Sequence, residues 1–234
     1  MQNTRLKIWF REYRGLLLFF GLMMLFRSAY ADWMTVPTAS MNPTIIEGDR
    51  ILVNKHAYGW RIPFTMTRIT KGNDPHRGEI AVFYSPADNK RLVKRVIGIP
   101  GDTLEMRNEV LIINGQPQTY SQDFHAHELS QDMSRYDHVF FTEQLSSAQS
   151  RVDHSVMFLP GRPAKRNFGP VVIAADHYWM MGDNRDDSAD SRYIGLVPRE
   201  SFVGRANKVV ASLNPDRWYL PRVDRFWIPL DNPS

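Results

Sequence analysis

Ser40 stands in the stretch VPTASMNPTIIEGD, residues 36–49, a single serine between two prolines and ahead of an apolar run. Such a serine is either a turn residue or a nucleophile. A serine hydroxyl attacks poorly unless a base takes its proton, so the question passes to the bases the chain offers. There is no cysteine, which removes thiol nucleophiles, disulfides and cysteine-based zinc sites together. The seven histidines allow a Ser-His-Asp triad by inventory, but no G-x-S-x-G elbow accompanies them. A lysine serves as a base only when neutral, and burial must depress its pKa from about 10.4 for that. In RLVKRVIGIPGD, residues 91–102, Leu92, Lys94 and Val96 share one face of an expected strand. Val93, Arg95 and Ile97 share the other. Periodicity does not say which face is inward. A guanidinium stays charged at any working pH, so of the two cations only Lys94 qualifies as a base. The plainer reading is an edge-strand lysine facing water.

Other chemistries find less support. His125 and His127 form an H-x-H pair with no third ligand at a clear spacing, so no metal is expected there. The acidic run GDNRDDSADSR, residues 182–192, fails as an EF-hand loop. With Asp186, Ser188 and Asp190 as the first ligands, Ser191 falls where glycine is needed and Val197 where glutamate is needed. No glycine-rich phosphate loop is present, and no cofactor is expected. Paired carboxylates for glycoside chemistry depend on a spatial separation that sequence does not give.

The elements that must position these groups are mostly strands. The segments at 50–58, 78–85, 91–99, 109–115, 170–183 and 207–213 are short, β-branched or aromatic, and bounded by turn residues. Turns rather than long helical stretches separate them, which predicts an antiparallel, mostly-β core. Residues 116–169 are more polar, and VFFTEQL (139–145) and SVMFL (155–159) predict a hairpin inside an inserted, smaller β-rich subdomain. The division is therefore 1–31, then 32–115 plus 170–234, with 116–169 inserted. A chain of 234 residues is long enough for such a core. The tail 217–234 carries Trp218, Tyr219, Phe226 and Trp227, read as a strand-and-loop tail on the core or as interfacial aromatics.

At the N-terminus, Arg5, Lys7, Arg11 and Arg14 precede the apolar run 15–26. A helix over about 7–27 would barely cross a bilayer, which needs about 20 apolar residues. Its basic flank would keep the N-terminus cytoplasmic. The rival is a cleaved signal peptide ending at SAYAD, residues 28–32, where Ala29 and Ala31 have A-x-A spacing. The net charge of +4 without a long basic run suits an anionic membrane surface, and no nucleic-acid partner is expected.

In order, PTASMNPTIIEGDRILVNKHAYG, RGEIAVF, RLVKRVIGIPGD and GDNRDDSADSRYIGLVP resemble the sequence boxes of bacterial type I signal peptidases. The resemblance implies a membrane-anchored serine endopeptidase that removes signal peptides after small residues. Ser40 would be the nucleophile and Lys94 the general base. Thr38 and the Ser40 N–H would stabilise the oxyanion, Ser188 would orient the lysine, and Asp190, Ser191 and Arg192 would brace the site. Val36, Pro37 and Val93 flank these groups and would line the substrate pockets. Family members usually have Ser-Gly where this chain has Thr38-Ala39. Threonine keeps the donor, but its β-branch restricts the rotamer. The implied partners are signal peptides and the lipid bilayer. The implied place is the cytoplasmic membrane, single-pass, with the catalytic domain on the outer, periplasmic face and the N-terminal anchor retained. The alternatives are a dedicated peptidase such as a pilin-maturing enzyme of a conjugation system, a self-cleaving repressor, and an inactive envelope scaffold.

Overall fold

The computed structural model describes residues 2–29, 31–62, 65, 67–123, 137–146 and 151–230. Its principal sheet has nine strands. Seven follow one path: β1 (Ala31–Thr35), β2 (Asp49–Asn54), β14 (Phe202–Asn214), β3 (Ile80–Tyr84), β4 (Arg91–Gly98), β12 (His177–Met181) and β13 (Val197–Pro198). Short strands β15 (Leu220–Pro221) and β16 (Ile228–Pro229) add to β14. All pairings are antiparallel, as the turn-separated pattern predicts.

Two smaller sheets accompany it among the described residues. β11 (Phe168–Val172), β5 (Thr103–Arg107), β6 (Val110–Ile113) and β7 (Gln116–Pro117) form one. β10 (Arg151–Phe158), β9 (Val139–Ser146) and β8 (Thr119–Gln122) form the other. The hairpin expected near 139–159 is the β9–β10 pair.

Strand β3 shows how the principal sheet is buried on both sides. Ile80 and Val82 enter one core with Met41, Ile45, Ile51 and Val93. Ala81 and Phe83 enter another with Tyr58, Val96, Tyr178 and Phe202. β4 lies inside the same sheet and is buried from Val93 to Gly98. Both faces left open by the sequence are therefore inward, and Lys94 and Arg95 are both core cations. β12 meets β4 only from Arg95 onward. The edge of β4 before Arg95 that faces away from β3 has no strand partner among the described residues.

Two of the sequence boxes are joined by an ion pair. Arg77 Nη2 donates to Asp102 at 2.9 Å and Arg77 Nη1 to the Ile97 carbonyl at 2.6 Å. Asp102 also accepts from the Ile99 N–H and the Asn114 amide, each at 2.8 Å, which fixes the PGD turn after β4.

The N-terminal helix α1 runs Gln2–Ala29, longer than the expected 7–27. The expectation that it crosses a bilayer requires correction. No helix among the described residues is long and apolar enough to cross a membrane. Arg11, Glu12 and Arg14 interrupt its first half and leave an apolar run confined to 15–26. Within that run, Leu16 to Phe20 and Leu22 to Met24 are exposed.

Candidate active site

Ser40 sits in a single 3-10 turn, Ala39–Met41, that follows the β1 segment. Met41 anchors the turn by inserting into the core, fully buried. Thr38 precedes the turn in extended backbone, and its hydroxyl makes a long 3.5 Å contact to Ser40 Oγ. Lys94 lies opposite Ala81 in the β3–β4 ladder, is 3% exposed, and its Nζ is 2.5 Å from Ser40 Oγ. The two groups are 54 residues apart in sequence.

The amine gives up its proton more readily than an ordinary lysine, for a physical reason. Burial lowers the Lys94 pKa to about 8, against the upward pull of the Asp190 and Asp183 carboxylates, and Arg192 adds to the lowering. Asp190 does not claim Lys94, because Arg192 forks onto it at 2.9 and 2.8 Å. Burial alone would raise the Asp190 carboxyl, but Arg192 and the Gly182 N–H bring it below the usual carboxylate range. Asp190 also caps α2 (Ser191–Ile194) through the Arg192 N–H. The Ser191 hydroxyl accepts from the Met180 N–H at 2.9 Å. Thus Asp190, Ser191 and Arg192 tie α2 to the end of β12.

Ser188 is 7% exposed. Among the described residues its Oγ has no well-formed hydrogen bond, though it lies near enough to Asp190 to help hold that carboxyl low. Between it and Ser40 passes Gly182. A Cβ on Gly182 would stand 2.3 Å from both Ser188 Oγ and the Ser40 carbonyl oxygen, so only glycine fits this approach.

The flanking residues divide. Val36 and Val93 are buried, 3% and 7% exposed, within the core cluster that holds Met41, whereas Pro37 is exposed. The Ala31–Asp32 bond, singled out by its A-x-A spacing, lies inside β1, with Ala31 opposite Asn54 and Asp32 opposite Val53. Asp32 is buried, accepts from Arg91 at 3.3 Å and is 3.7 Å from Lys55. His125 and His127 lie outside the described residues.

Several residues around the site escape sequence reasoning. Arg95, one position from Lys94, forks onto Asp183 at 2.8 and 2.7 Å, and Asp183 also accepts from the Thr44 hydroxyl at 2.6 Å. Burial would raise Asp183, but Arg95 holds it low. Asn184 reaches back to the nucleophile turn. Arg185 pairs with Glu143 of β9 in full burial, Nη1 to Oε1 at 2.7 Å. A charged residue amid the apolar letters of VFFTEQL was the one available signal for Glu143.

A hydroxyl in contact with a buried amine of lowered pKa on a β framework is the chemistry of a serine hydrolase that uses lysine as base. Comparison with known proteins agrees. The family model described as signal peptidase, peptidase S26, matches residues 9–211. The chain is 34% identical to signal peptidase I of Pseudomonas fluorescens, over 87% of this chain and 73% of that protein. It is 34% identical to signal peptidase I of Pseudomonas aeruginosa with the same coverage. With signal peptidase I of Buchnera aphidicola from Schizaphis graminum it shares 30%, over 87% of this chain and 75% of that protein. The chain belongs to the signal peptidase family, peptidase S26. It is a serine endopeptidase.

Proposed function

We propose that Ser40 is the nucleophile and Lys94 the general base for removal of signal peptides from exported preproteins. The observation that carries this reading is the 2.5 Å approach of Lys94 Nζ to Ser40 Oγ with the amine buried. Ser40 Oγ attacks the scissile carbonyl while its proton passes to neutral Lys94. The oxyanion forms against the Ser40 N–H and the Thr38 hydroxyl, which turns from its long contact with Ser40 Oγ to donate to it. The lysine ammonium then gives its proton to the leaving amine, the C–N bond breaks, and water hydrolyses the ester by the same relay. In this reading Ser188, across Gly182 from the Ser40 carbonyl, serves to orient the lysine, while Asp190, Ser191 and Arg192 brace it.

The substrate is held extended between two edges that lack strand partners among the described residues, those of β1 and of Arg91–Lys94, in the manner of strand addition. Val93 belongs to the second edge and Val36 and Pro37 directly follow the first, and pockets beside them would admit only small side chains, giving the A-x-A preference. The exposed apolar run of α1 contacts the lipid bilayer of the cytoplasmic membrane and the β domain works on its outer face, where tethering raises the local substrate concentration. This reading divides the chain into an anchor, 1–31, a catalytic domain, 32–115 with 170–234, and an insertion, 116–169.

The test is cleavage of a preprotein bearing an A-x-A site by the detergent-solubilised protein. Ser40→Ala and Lys94→Ala each abolish it with circular dichroism unchanged, and Lys94→Arg is equally inactive because arginine supplies no neutral base. Full activity in any of the three overturns the assignment.

A further inference from the structure

Asn184 grips the nucleophile turn twice. Its backbone N–H donates to the Ser40 carbonyl at 3.2 Å, and its side-chain Nδ2 donates to the Ala39 carbonyl, also at 3.2 Å. The Ala39 carbonyl also accepts from the Asn42 N–H at 3.0 Å. The remaining side-chain atom, Oδ1, accepts from the Asp187 N–H at 3.1 Å. Asn184 is 1% exposed, and its own backbone is held through its neighbours. The Met157 N–H of β10 donates to the Asp183 carbonyl and the Arg185 N–H to the Met157 carbonyl, both at 2.8 Å. The gripping residue is therefore fixed from behind.

The Ala39 carbonyl and the Ser40 N–H belong to one peptide unit. That unit is planar and trans, so its C=O and N–H point in opposite directions. Pinning the carbonyl onto Asn184 Nδ2 therefore aims the Ser40 N–H away from Asn184. The Ser40 N–H is the backbone donor assigned above to the oxyanion. Holding the next carbonyl, that of Ser40, fixes the following peptide plane as well. With both planes set, the Ser40 side chain has one backbone frame from which to meet Lys94.

We infer that Asn184 is a positioning residue, whose side-chain amide sets the direction of the Ser40 N–H and so the strength of oxyanion stabilisation. It touches neither substrate nor the reacting atoms. The inference rests on the reading of Ser40 as nucleophile. That reading is tested separately by the Ser40 and Lys94 variants, so the two fail in distinguishable ways.

The experiment compares Asn184→Ala and Asn184→Asp in the full detergent-solubilised chain, with preprotein cleavage as the readout. Aspartate keeps the size of asparagine and the acceptor for the Asp187 N–H, but when ionised it has no donor for the Ala39 carbonyl. Loss of a whole oxyanion donor costs about 100- to 1,000-fold in kcat, and a misdirected donor part of that. The expected result is a kcat lowered at least about tenfold in both variants, with KM within about twofold of wild type. In Asn184→Ala the pH midpoint of kcat/KM stays where Lys94 sets it. A space-filling role predicts that the aspartate variant keeps its kcat, and that result overturns the inference. So does a loss carried by KM, or a shifted pH midpoint in the alanine variant.

Discussion

Cleavage by this protein should follow the proton on Lys94, and the size of the effect can be worked from its burial. The ordinary lysine pKa is 10.5, and burial brings Lys94 to about 8. At pH 7 a base of pKa about 8 is neutral in about one molecule in eleven, whereas at the ordinary value it would be neutral in about one in three thousand. The buried site therefore raises the population of competent enzyme by about 300-fold, which is about 3 kcal/mol at ~1.4 kcal/mol per pKa unit. Single-turnover cleavage measured from pH 6 to pH 10 should climb about tenfold per pH unit at first, bend near pH 8 and then level off.

The same shift makes a stability claim whose sign is fixed. The folded pKa lies below the unfolded one, so between pH 8 and pH 10.5 the unfolded chain holds a proton that the folded chain has lost. Stability contributed by this group then rises with pH across that window. It is fully present above 10.5 and lost as pH falls through 8. Lys94→Met has no such dependence. It should thus be more stable than wild type below pH 8, by about 3 kcal/mol at most, and the gap should close toward pH 10.5. Arg192→Met removes a cation that lowers the amine pKa and frees Asp190 to raise it, so its rate midpoint should lie above that of wild type. A rate profile flat from pH 6 to 9, a bend near the ordinary lysine value, or a parallel stability curve for Lys94→Met would refute the reasoning.

Three further outcomes follow from the packing. Gly182→Ala forces a methyl to within 2.3 Å of Ser188 Oγ and the Ser40 carbonyl. Cleavage should fall sharply and thermal unfolding should report a loss of about 1–3 kcal/mol; a fully active variant would show that the approach is slacker than drawn. Glu143→Ala takes from Arg185, 1% exposed, both carboxylate oxygens that it forks onto, which should cost about 3–5 kcal/mol in denaturant unfolding, and a loss below about 1 kcal/mol would contradict the buried pair. Asp32→Ala removes the shared partner of Arg91 and Lys55 and loosens β1, so N-terminal sequencing should find a new terminus at position 32, absent when Lys94→Ala is added. Equal cleavage of wild type there would remove any protective role for Asp32.

How much of this was legible in sequence differs from element to element. β3 and β4 were, because runs such as IAVFY and RLVKRVIG are β-branched and end at turn residues. The stretch 170–183 read as one strand and is two, β11 pairing with β5 and β12 with β4. The chain changes sheets at Ala174–Ala175–Asp176, where Asp176 takes φ +56. Two alanines give no punctuation that a sequence reader can use. The last core strand begins five residues earlier than its apolar letters, at Phe202 rather than 207. Gly204 lies inside the strand because the chain approaches β2 closely there: a Cβ would meet the Asn54 carbonyl at 2.5 Å. Asn54 itself ends β2 by accepting the His56 N–H, so the expected strand at 50–58 stops early.

The chemistry was legible where the demand falls on a single residue type. A hydroxyl needs a base, the base must be able to lose its charge, and Lys94 rather than Arg95 meets that demand by pKa alone. What sequence could not supply was the framework that holds the hydroxyl. Glu143 meets Arg185 across 42 residues, and Arg95 meets Asp183 across 88, with no local pattern to mark either pair. Both pairs lead to the same place. Asp183 and Arg185 flank Asn184, and Met157 of β10 bonds to both of their backbones. The segment that grips the Ser40 turn is thereby held between β4 and the β9–β10 hairpin. The polar stretch that separates two recognisable boxes thus contributes the back wall of the site, and the aim of the nucleophile depends on strands with no reactive group of their own.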